Sequence, residues 1–123
     1  MKIDLIIRGN PPSKSNSYKI ITIYGHGSLG KTPALKKYER DFELQVPATY
    51  KNQLTAYKWC RIYLAVYFDN NRQDLDNSAK IILDCLQKNE VIKNDRAVKF
   101  LSMEKRFDKI NPRVEIQIEG IDE

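Results

Sequence analysis

Trp59–Phe68, with the sequence WCRIYLAVYF, is apolar at nearly every position. A strand with one face in water alternates apolar and polar residues, so this pattern predicts a central strand that is buried on both faces. The segment 76–87 places four apolar residues at helical spacing: Ala79, Ile82, Leu83 and Leu86. That stripe predicts an amphipathic helix soon after the central strand.

Weaker patterns before and after the predicted central strand and its helix complete the predicted order of strands and helices. Strands are predicted at 2–8, 18–24, 98–107 and 113–118. A second helix is predicted to begin at Thr32-Pro33 and to end before Pro47, and residues 25–30 are predicted to form a flexible loop. The order is therefore β-β-α-β-α-β-β. It predicts one compact α+β domain over residues 1–123, with a mixed β-sheet packed against two main helices.

The charge of the chain is unevenly distributed. Of its 123 residues, 21 are Lys or Arg and 16 are Asp or Glu, which gives a net charge of +5. Residues 1–61 contain 11 basic and 4 acidic residues, a balance of +7, whereas residues 62–123 contain 10 and 12, a balance of −2. No acidic residue lies between Leu5 and Tyr38. This asymmetry indicates a polyanionic partner.

Other features of the sequence bear on the compartment. The N-terminus lacks the pattern of a signal peptide, and no apolar stretch approaches the roughly 20 residues that a membrane-spanning helix needs. Cys60 and Cys85 lie in apolar segments and are interpreted as buried thiols, with a disulfide as the less favoured alternative. We therefore expect a cytoplasmic protein that has no membrane partner.

Residues 25–32, with the sequence GHGSLGKT, match the phosphate-loop pattern G-x-x-x-x-G-K-[ST]. Two features count against nucleotide binding. The chain is too short and too rich in hairpin-like strand pairs for a doubly wound parallel sheet. In addition, Pro33 follows directly, where the first helical turn would donate amides to a phosphate. We expect a basic glycine-rich loop and no nucleotide cofactor, and keep a small nucleotide-binding protein as the least favoured alternative.

Acidic and amide residues cluster around the start of the helix predicted at 76–87. Asp74 and Asp76 are two positions apart, so extended backbone directs both side chains the same way, and Asp76, Lys80 and Asp84 share one helical stripe. Mg²⁺ prefers oxygen ligands, and two such ions can clamp the oxygens of a phosphodiester during hydrolysis. An adjacent lysine can stabilise developing negative charge. An ordinary capped helix would account for Asp76 and Lys80 but not for Asp74, Asn77 or Asp95.

The cluster resembles the signature of RusA-like Holliday-junction resolvases. The matching residues are Asp74-Leu75-Asp76-Asn77, Lys80, Asp84, Leu86 and Asn94-Asp95. The opening of the chain is similar to the same family at Pro11-Pro12-Ser13, Asn16, Tyr18 and the helix start Thr32-Pro33…Tyr38. The similarity extends over nearly the whole chain.

The resemblance implies a small homodimeric endonuclease that depends on Mg²⁺, with Mn²⁺ as a substitute, and cuts four-way DNA junctions by paired nicks. It implies that Asp74, Asp76 and Asp95 bind the metal, and that these residues and Lys80 are catalytic. Asn77 and Asp84 would support them. The family commonly has two acidic residues where this chain has Asn94-Asp95, and we take Asp95 as the ligand.

The family's counterpart of residues 25–32 is a basic segment near the DNA, which implies that Lys31 contacts a phosphate of DNA. The other candidate DNA-binding residues are Lys14, Asn16, Lys19, Lys36 and Lys37. The alternative function is a non-catalytic nucleic-acid-binding module whose carboxylates are structural. It predicts binding that weakens steeply with salt and no nicking at any Mg²⁺ or Mn²⁺ concentration.

Overall fold

The computed structural model describes residues 1–13 and 16–122, which form six strands and two helices. The strands are β1 (Lys2–Arg8), β2 (Tyr18–Ile23), β3 (His26–Lys31), β4 (Trp59–Phe68), β5 (Val98–Phe107) and β6 (Arg113–Ile121), and the helices are α1 (Pro33–Gln45) and α2 (Leu75–Lys88). Neither of these helices is long and apolar enough to cross a membrane. Lys14, a predicted DNA contact, lies outside the described residues.

β4 lies inside a four-stranded sheet whose order is β1-β6-β4-β5. β6 pairs antiparallel with both β1 and β4, whereas β5 pairs parallel with β4. Parallel neighbours need a crossover connection, and α2 lies in it. The predicted α+β class, the mixed sheet and the two main helices are confirmed.

The core forms where both helices pack with the sheet. β1 buries every second residue, whereas β4 buries consecutive residues in its middle, Leu64, Ala65 and Val66, as expected of a central strand. The helices add Leu35, Tyr38 and Phe42 from α1, and Ile81, Ile82, Cys85 and Leu86 from α2. Ala79 and Leu83 of the predicted stripe are only half-buried. Packing therefore leaves Asp76 and Lys80 on the exposed side of α2.

Residues 26–30, predicted as part of a flexible loop, belong instead to strand β3. β3 pairs antiparallel with β2, from Tyr18↔Lys31 to Ile23↔His26, in a separate two-stranded sheet. The connecting turn has only two residues, Tyr24 and Gly25, with φ angles of 51° and 80°. Two-residue hairpin turns of this kind need positive φ at both positions, and glycine adopts it without strain. The sequence HGSLGK has no apolar alternation, so the strand depends on its pairing with β2.

Cys60 and Cys85 are buried and free, so the prediction of two buried thiols is confirmed. Burial raises the pKa of Cys60 to about 11 and the pKa of Cys85 to about 12. Because a thiolate is disfavoured in an apolar environment, both side chains are protonated at neutral pH.

Candidate active site

Two carboxylates at the start of α2 have no partner among the residues that the structure describes. Asp74 occupies the N-cap position (φ −86°, ψ 136°), but its side chain accepts no capping hydrogen bond. Asp76 lies in the first turn, where the positive end of the helix dipole favours a carboxylate. Both side chains are exposed, and neither makes a hydrogen bond or ion pair with another residue that the structure describes. They are therefore available to an external cation.

The loop that leads to Asp74 is fastened by a pair of amide side chains. Asn10 Nδ2 donates to Gln73 Oε1 at 2.6 Å, and Gln73 Nε2 donates to the Pro11 carbonyl oxygen at 2.6 Å. Asn10 Oδ1 accepts a hydrogen bond from the backbone N–H of Asp69 at 3.0 Å, so Asn10 holds both ends of the loop 69–73. Sequence patterns do not identify this clamp because its two amides are 63 positions apart.

Lys80 lies between two carboxylates on the exposed side of α2. Its Nζ is 3.1 Å from Asp84 Oδ1 and 3.5 Å from Asp95 Oδ2. The hydrogen bond with Asp84 is the main cause that raises the pKa of Lys80, and the charge of Asp95 adds to it. Lys80 is therefore a cation at neutral pH. The group is well exposed, so these pairs orient the ammonium more than they stabilise the fold.

Asn94 and Asp95 have different structural roles. Asn94 Oδ1 accepts a hydrogen bond from the backbone N–H of Ala97 at 3.1 Å and caps the 3₁₀ turn Asp95–Ala97. The backbone N–H of Asp95 donates to Gln87 Oε1 at 3.1 Å, which ties this turn to α2. The carboxylate that reaches Lys80 is therefore that of Asp95, while Asn94 is engaged with the backbone.

The three predicted metal ligands are spread along α2 and not gathered at one point. Asp74 and Asp76 lie at the helix start, whereas Asp95 approaches α2 at Lys80. Within residues 1–13 and 16–122, no three acidic, histidine or cysteine side chains form a group that could hold a metal ion. The donors nevertheless suit Mg²⁺ in kind, because all three are carboxylates and two of them have no competing partner.

Two clefts lie beside the start of α2, and Tyr18 and Asn77 line both. The larger has a volume of about 590 Å³, and its lining includes Arg72, Asp74 and Asn77 from the α2 end and Tyr18 and Leu29 from the β2–β3 hairpin. The smaller has a volume of about 180 Å³ and is lined by Tyr18, Asp76, Asn77, Lys80 and Ile81. The fold thus places Asp74, Asp76, Asn77 and Lys80 along neighbouring clefts, with a hairpin wall that the sequence patterns do not predict.

The candidate DNA-binding residues divide into paired and unpaired groups. Lys31 and Lys37 form ion pairs with acidic residues of α1, at 2.8 and 2.7 Å. Lys19 and Lys36 are exposed and have no ion pair within the described part of the chain. Asn16 is also exposed. Of the four candidate lysines that the structure describes, two therefore already have an acidic partner.

Residues 25–32 do not adopt the form of a phosphate-binding loop. Residues 26–31 are extended and paired with β2. Thr32 Oγ1 accepts from the backbone N–H of Leu35 at 3.2 Å, which caps α1, and donates to the Asn16 carbonyl oxygen at 2.6 Å. A phosphate-binding loop directs its amides and its hydroxyl at the phosphate. Here these groups serve the hairpin and the helix cap.

A small α+β domain with a basic hairpin, unpaired carboxylates and a charged lysine at one helix has the components of an enzyme that hydrolyses phosphodiesters. The family model described as Endodeoxyribonuclease RusA matches residues 11–119, a range that covers nearly the whole chain and every candidate site residue. The chain belongs to the RusA endodeoxyribonuclease family and is an endodeoxyribonuclease of the Holliday-junction resolvase type. No curated protein matches it.

Proposed function

We propose that residues 1–123 act as one endonuclease domain, which cuts four-way DNA junctions by metal-dependent hydrolysis along the exposed side of α2. Family membership supports DNA junctions as the substrate class. One observation supports the position of the site. Asp74 and Asp76 are exposed and have no partner in the described part of the chain, while Lys80 is held as a cation one turn further along the same helix.

Asp74, Asp76 and Asp95 would hold the metal, which we propose to be Mg²⁺, with Mn²⁺ as a substitute. When bound, the metal supplies positive charge that stabilises the transition state of phosphodiester hydrolysis. The carboxylates of Asp74 and Asp76 can serve as ligands without breaking any contact that the structure records. Asp95 shares its carboxylate with Lys80, so its contribution depends on how the ammonium is oriented.

Lys80 would stabilise negative charge on the phosphate during cleavage. Its raised pKa keeps the ammonium protonated, and its side chain borders the cleft that also contains Asp76 and Asn77. Asp84 would support the reaction by orienting the Lys80 ammonium through the 3.1 Å contact. Asn77 would support it from the wall that the two clefts share.

The basic residues of the first half would contact DNA phosphates. The proposed contacts are Lys14, Asn16, Lys19, Lys31, Lys36 and Lys37. A paired nick needs two active sites, and each chain has one proposed site, so we propose that the protein acts as a homodimer. A DNA substrate and two buried free thiols also favour a cytoplasmic location.

The test uses labelled four-way junction, fork and linear duplex, incubated with and without Mg²⁺ or Mn²⁺. We expect symmetrically placed nicks in the junction only when the metal is present. Asp76→Asn should abolish cleavage while junction affinity stays within about threefold, because phosphate contacts by basic side chains dominate affinity. Asp4→Asn is the matched control, since Asp4 is an exposed residue of β1, and it should leave cleavage unchanged.

Full cleavage by the Asp76→Asn variant would contradict the proposed site. Junction binding by the unmodified protein without nicking, at every Mg²⁺ and Mn²⁺ concentration tried, would instead favour the non-catalytic binding module. Light scattering of the protein alone tests the homodimer.

A further inference from the structure

The larger cleft beside Asp74 has apolar walls that a metal ion and a phosphate would not use. Its volume is about 590 Å³, and Pro12, Tyr18 and Leu29 contribute to its lining. Sites that are concave and largely apolar, with a few converging polar groups, are typical of bound organic ligands. The part of the substrate that fits such walls is a nucleobase, not the sugar-phosphate backbone.

The hairpin continues the apolar wall outward. Leu29 is 69% exposed and pairs directly with Ile20, which is 81% exposed. Residues that are directly opposite in an antiparallel pair share one face, and residues two apart on one strand do so as well. Tyr18, Ile20 and Leu29 therefore form a continuous apolar face that begins in the cleft and reaches solvent.

The same cleft is also lined by polar side chains that have no partner among the described residues. The side chain of Asn77 is half-buried and makes no hydrogen bond within the described residues, and the guanidinium of Arg72 makes none either. Gln73, in contrast, is committed to Asn10 and Pro11. Free amide and guanidinium groups are the side-chain groups that hydrogen-bond to base edges.

We propose that this cleft binds one unstacked nucleobase of the DNA strand that is cut, next to the phosphate at Asp74. Tyr18 and Leu29 contact the face of the base, and Arg72 and Asn77 contact its edge. The proposal rests on the proposed function, because it takes the phosphate to lie at Asp74. Bases at a disrupted position of a duplex are the least costly to unstack, which favours binding at a branch point.

The test removes the base from the DNA by means of an abasic site, and removes an apolar contact from the cleft by means of Leu29→Ser. Four-way junctions carry a single abasic site on either side of the cut phosphate, and kcat/KM is measured for each. For the unmodified protein we expect one of the two sites to lower kcat/KM about tenfold, the size of a lost stacking contact. Leu29→Ser should show a similar loss on the intact junction and no further loss on the abasic one. Leu44→Ser, a control at an exposed leucine of α1, should behave like the unmodified protein.

Arg72→Ala provides a second variant that does not alter the hairpin, and it should change the order of preference among the four bases at the sensitive position. A second readout does not need cleavage. With Ca²⁺ in place of Mg²⁺, the fluorescence of 2-aminopurine at that position should change when the unmodified protein binds, and it should not change with Leu29→Ser.

An equal abasic penalty in Leu29→Ser and in the unmodified protein would overturn the proposal. So would cleavage that is insensitive to abasic sites on both sides, or unchanged 2-aminopurine fluorescence in a complex whose binding is verified by anisotropy. These results leave cleavage of the intact junction, and with it the proposed function, standing. Failure to cleave the intact junction would contradict both the nucleobase-binding proposal and the proposed function.

Discussion

The carboxylates at the start of α2 differ from those around Lys80 in whether they have a partner. At the first turn, Asp74 and Asp76 are exposed and have no partner within the described residues. At the second, Lys80 is engaged by Asp84 and Asp95 at 3.1 and 3.5 Å. The helix dipole offsets part of the cost of the unpaired carboxylates. Residues of one motif are therefore not equivalent: within the described residues two carboxylates have no partner, whereas the other two contact the Lys80 ammonium.

The largest expected effect is the difference in cleavage rate between a variant at the start of α2 and a variant beside Lys80. Asp74→Asn should lower the rate of junction cleavage about 1000-fold, because it removes a carboxylate proposed to hold the metal. Asp84→Asn should lower it only a few-fold, because Asp95 still holds the Lys80 ammonium. Single-turnover cleavage at saturating protein measures both. Equal losses in the two variants would mean that the first turn has no special role.

The next effect concerns Lys80. Lys80→Met should lower the rate about 100-fold, which is typical for the loss of one charged donor at a transition state, and Lys80→Arg should restore part of it. The raised pKa of Lys80, caused mainly by its hydrogen bond with Asp84, keeps the group charged beyond the ordinary value of 10.5. Deprotonation of Lys80 should therefore cause no loss of rate between pH 7 and about pH 10.

A profile of the cleavage rate against pH checks this prediction. A fall in rate below pH 10 that is present in the unmodified protein and absent in Lys80→Arg would contradict it, since arginine stays charged over that range.

A smaller effect comes from the clamp beneath Asp74. Asn10→Ala should lower kcat about tenfold with little change in KM if Asp74 holds the metal as proposed, because residues that orient a metal ligand typically account for factors of 10 to 100. Gln73→Ala should have a similar effect, and the loss in the double variant should be smaller than the sum of the two single losses, since both substitutions remove the Asn10–Gln73 contact. The same cycle on thermal unfolding tests the alternative: losses that add in both readouts would show that the two amides act independently.

The sequence predicts the elements whose periodicity is strong. β4 and α2 follow from a continuous apolar run and a helical stripe, and the N-cap of α1 follows from Thr32-Pro33. Of the two strands in the hairpin, the sequence predicts only β2, which is rich in β-branched residues. β3 contains two glycines, and it is extended because it pairs with β2. Pairing of this kind is a tertiary effect that a local pattern does not contain.

The candidate site also has a part that the sequence predicts and a part that depends on tertiary packing. Asp74, Asp76 and Lys80 lie within seven residues, so their spacing and the family resemblance are enough to predict them as site residues. The sequence does not indicate that Asn94 caps a turn, or that Lys80 already binds Asp95, because both depend on how the turn after α2 packs. The sequence does not indicate the clamp of Asn10 and Gln73. Asn10 occurs in a run of turn-forming residues, and nothing nearby in the sequence suggests that its side chain makes a long-range contact.

The smallest expected effect concerns the salt dependence of DNA binding, and it compares a basic residue that has an ion pair with one that has none within the described residues. Lys19 is exposed with no ion pair among the described residues, whereas Lys31 donates to Glu39 at 2.8 Å, and that bond is the main cause that raises the pKa of Lys31. If each phosphate contact contributes about 0.9 to the slope of log affinity against log salt, Lys19→Ala should reduce the slope by about one. Lys31→Ala should reduce it by less, because its charge is already compensated. Titrations of a four-way junction in Ca²⁺ at several salt concentrations measure both, with Lys2→Ala as a control on β1. A larger change for Lys31 would mean that DNA displaces Glu39, and that pairing in the free protein does not decide which lysines meet the phosphates.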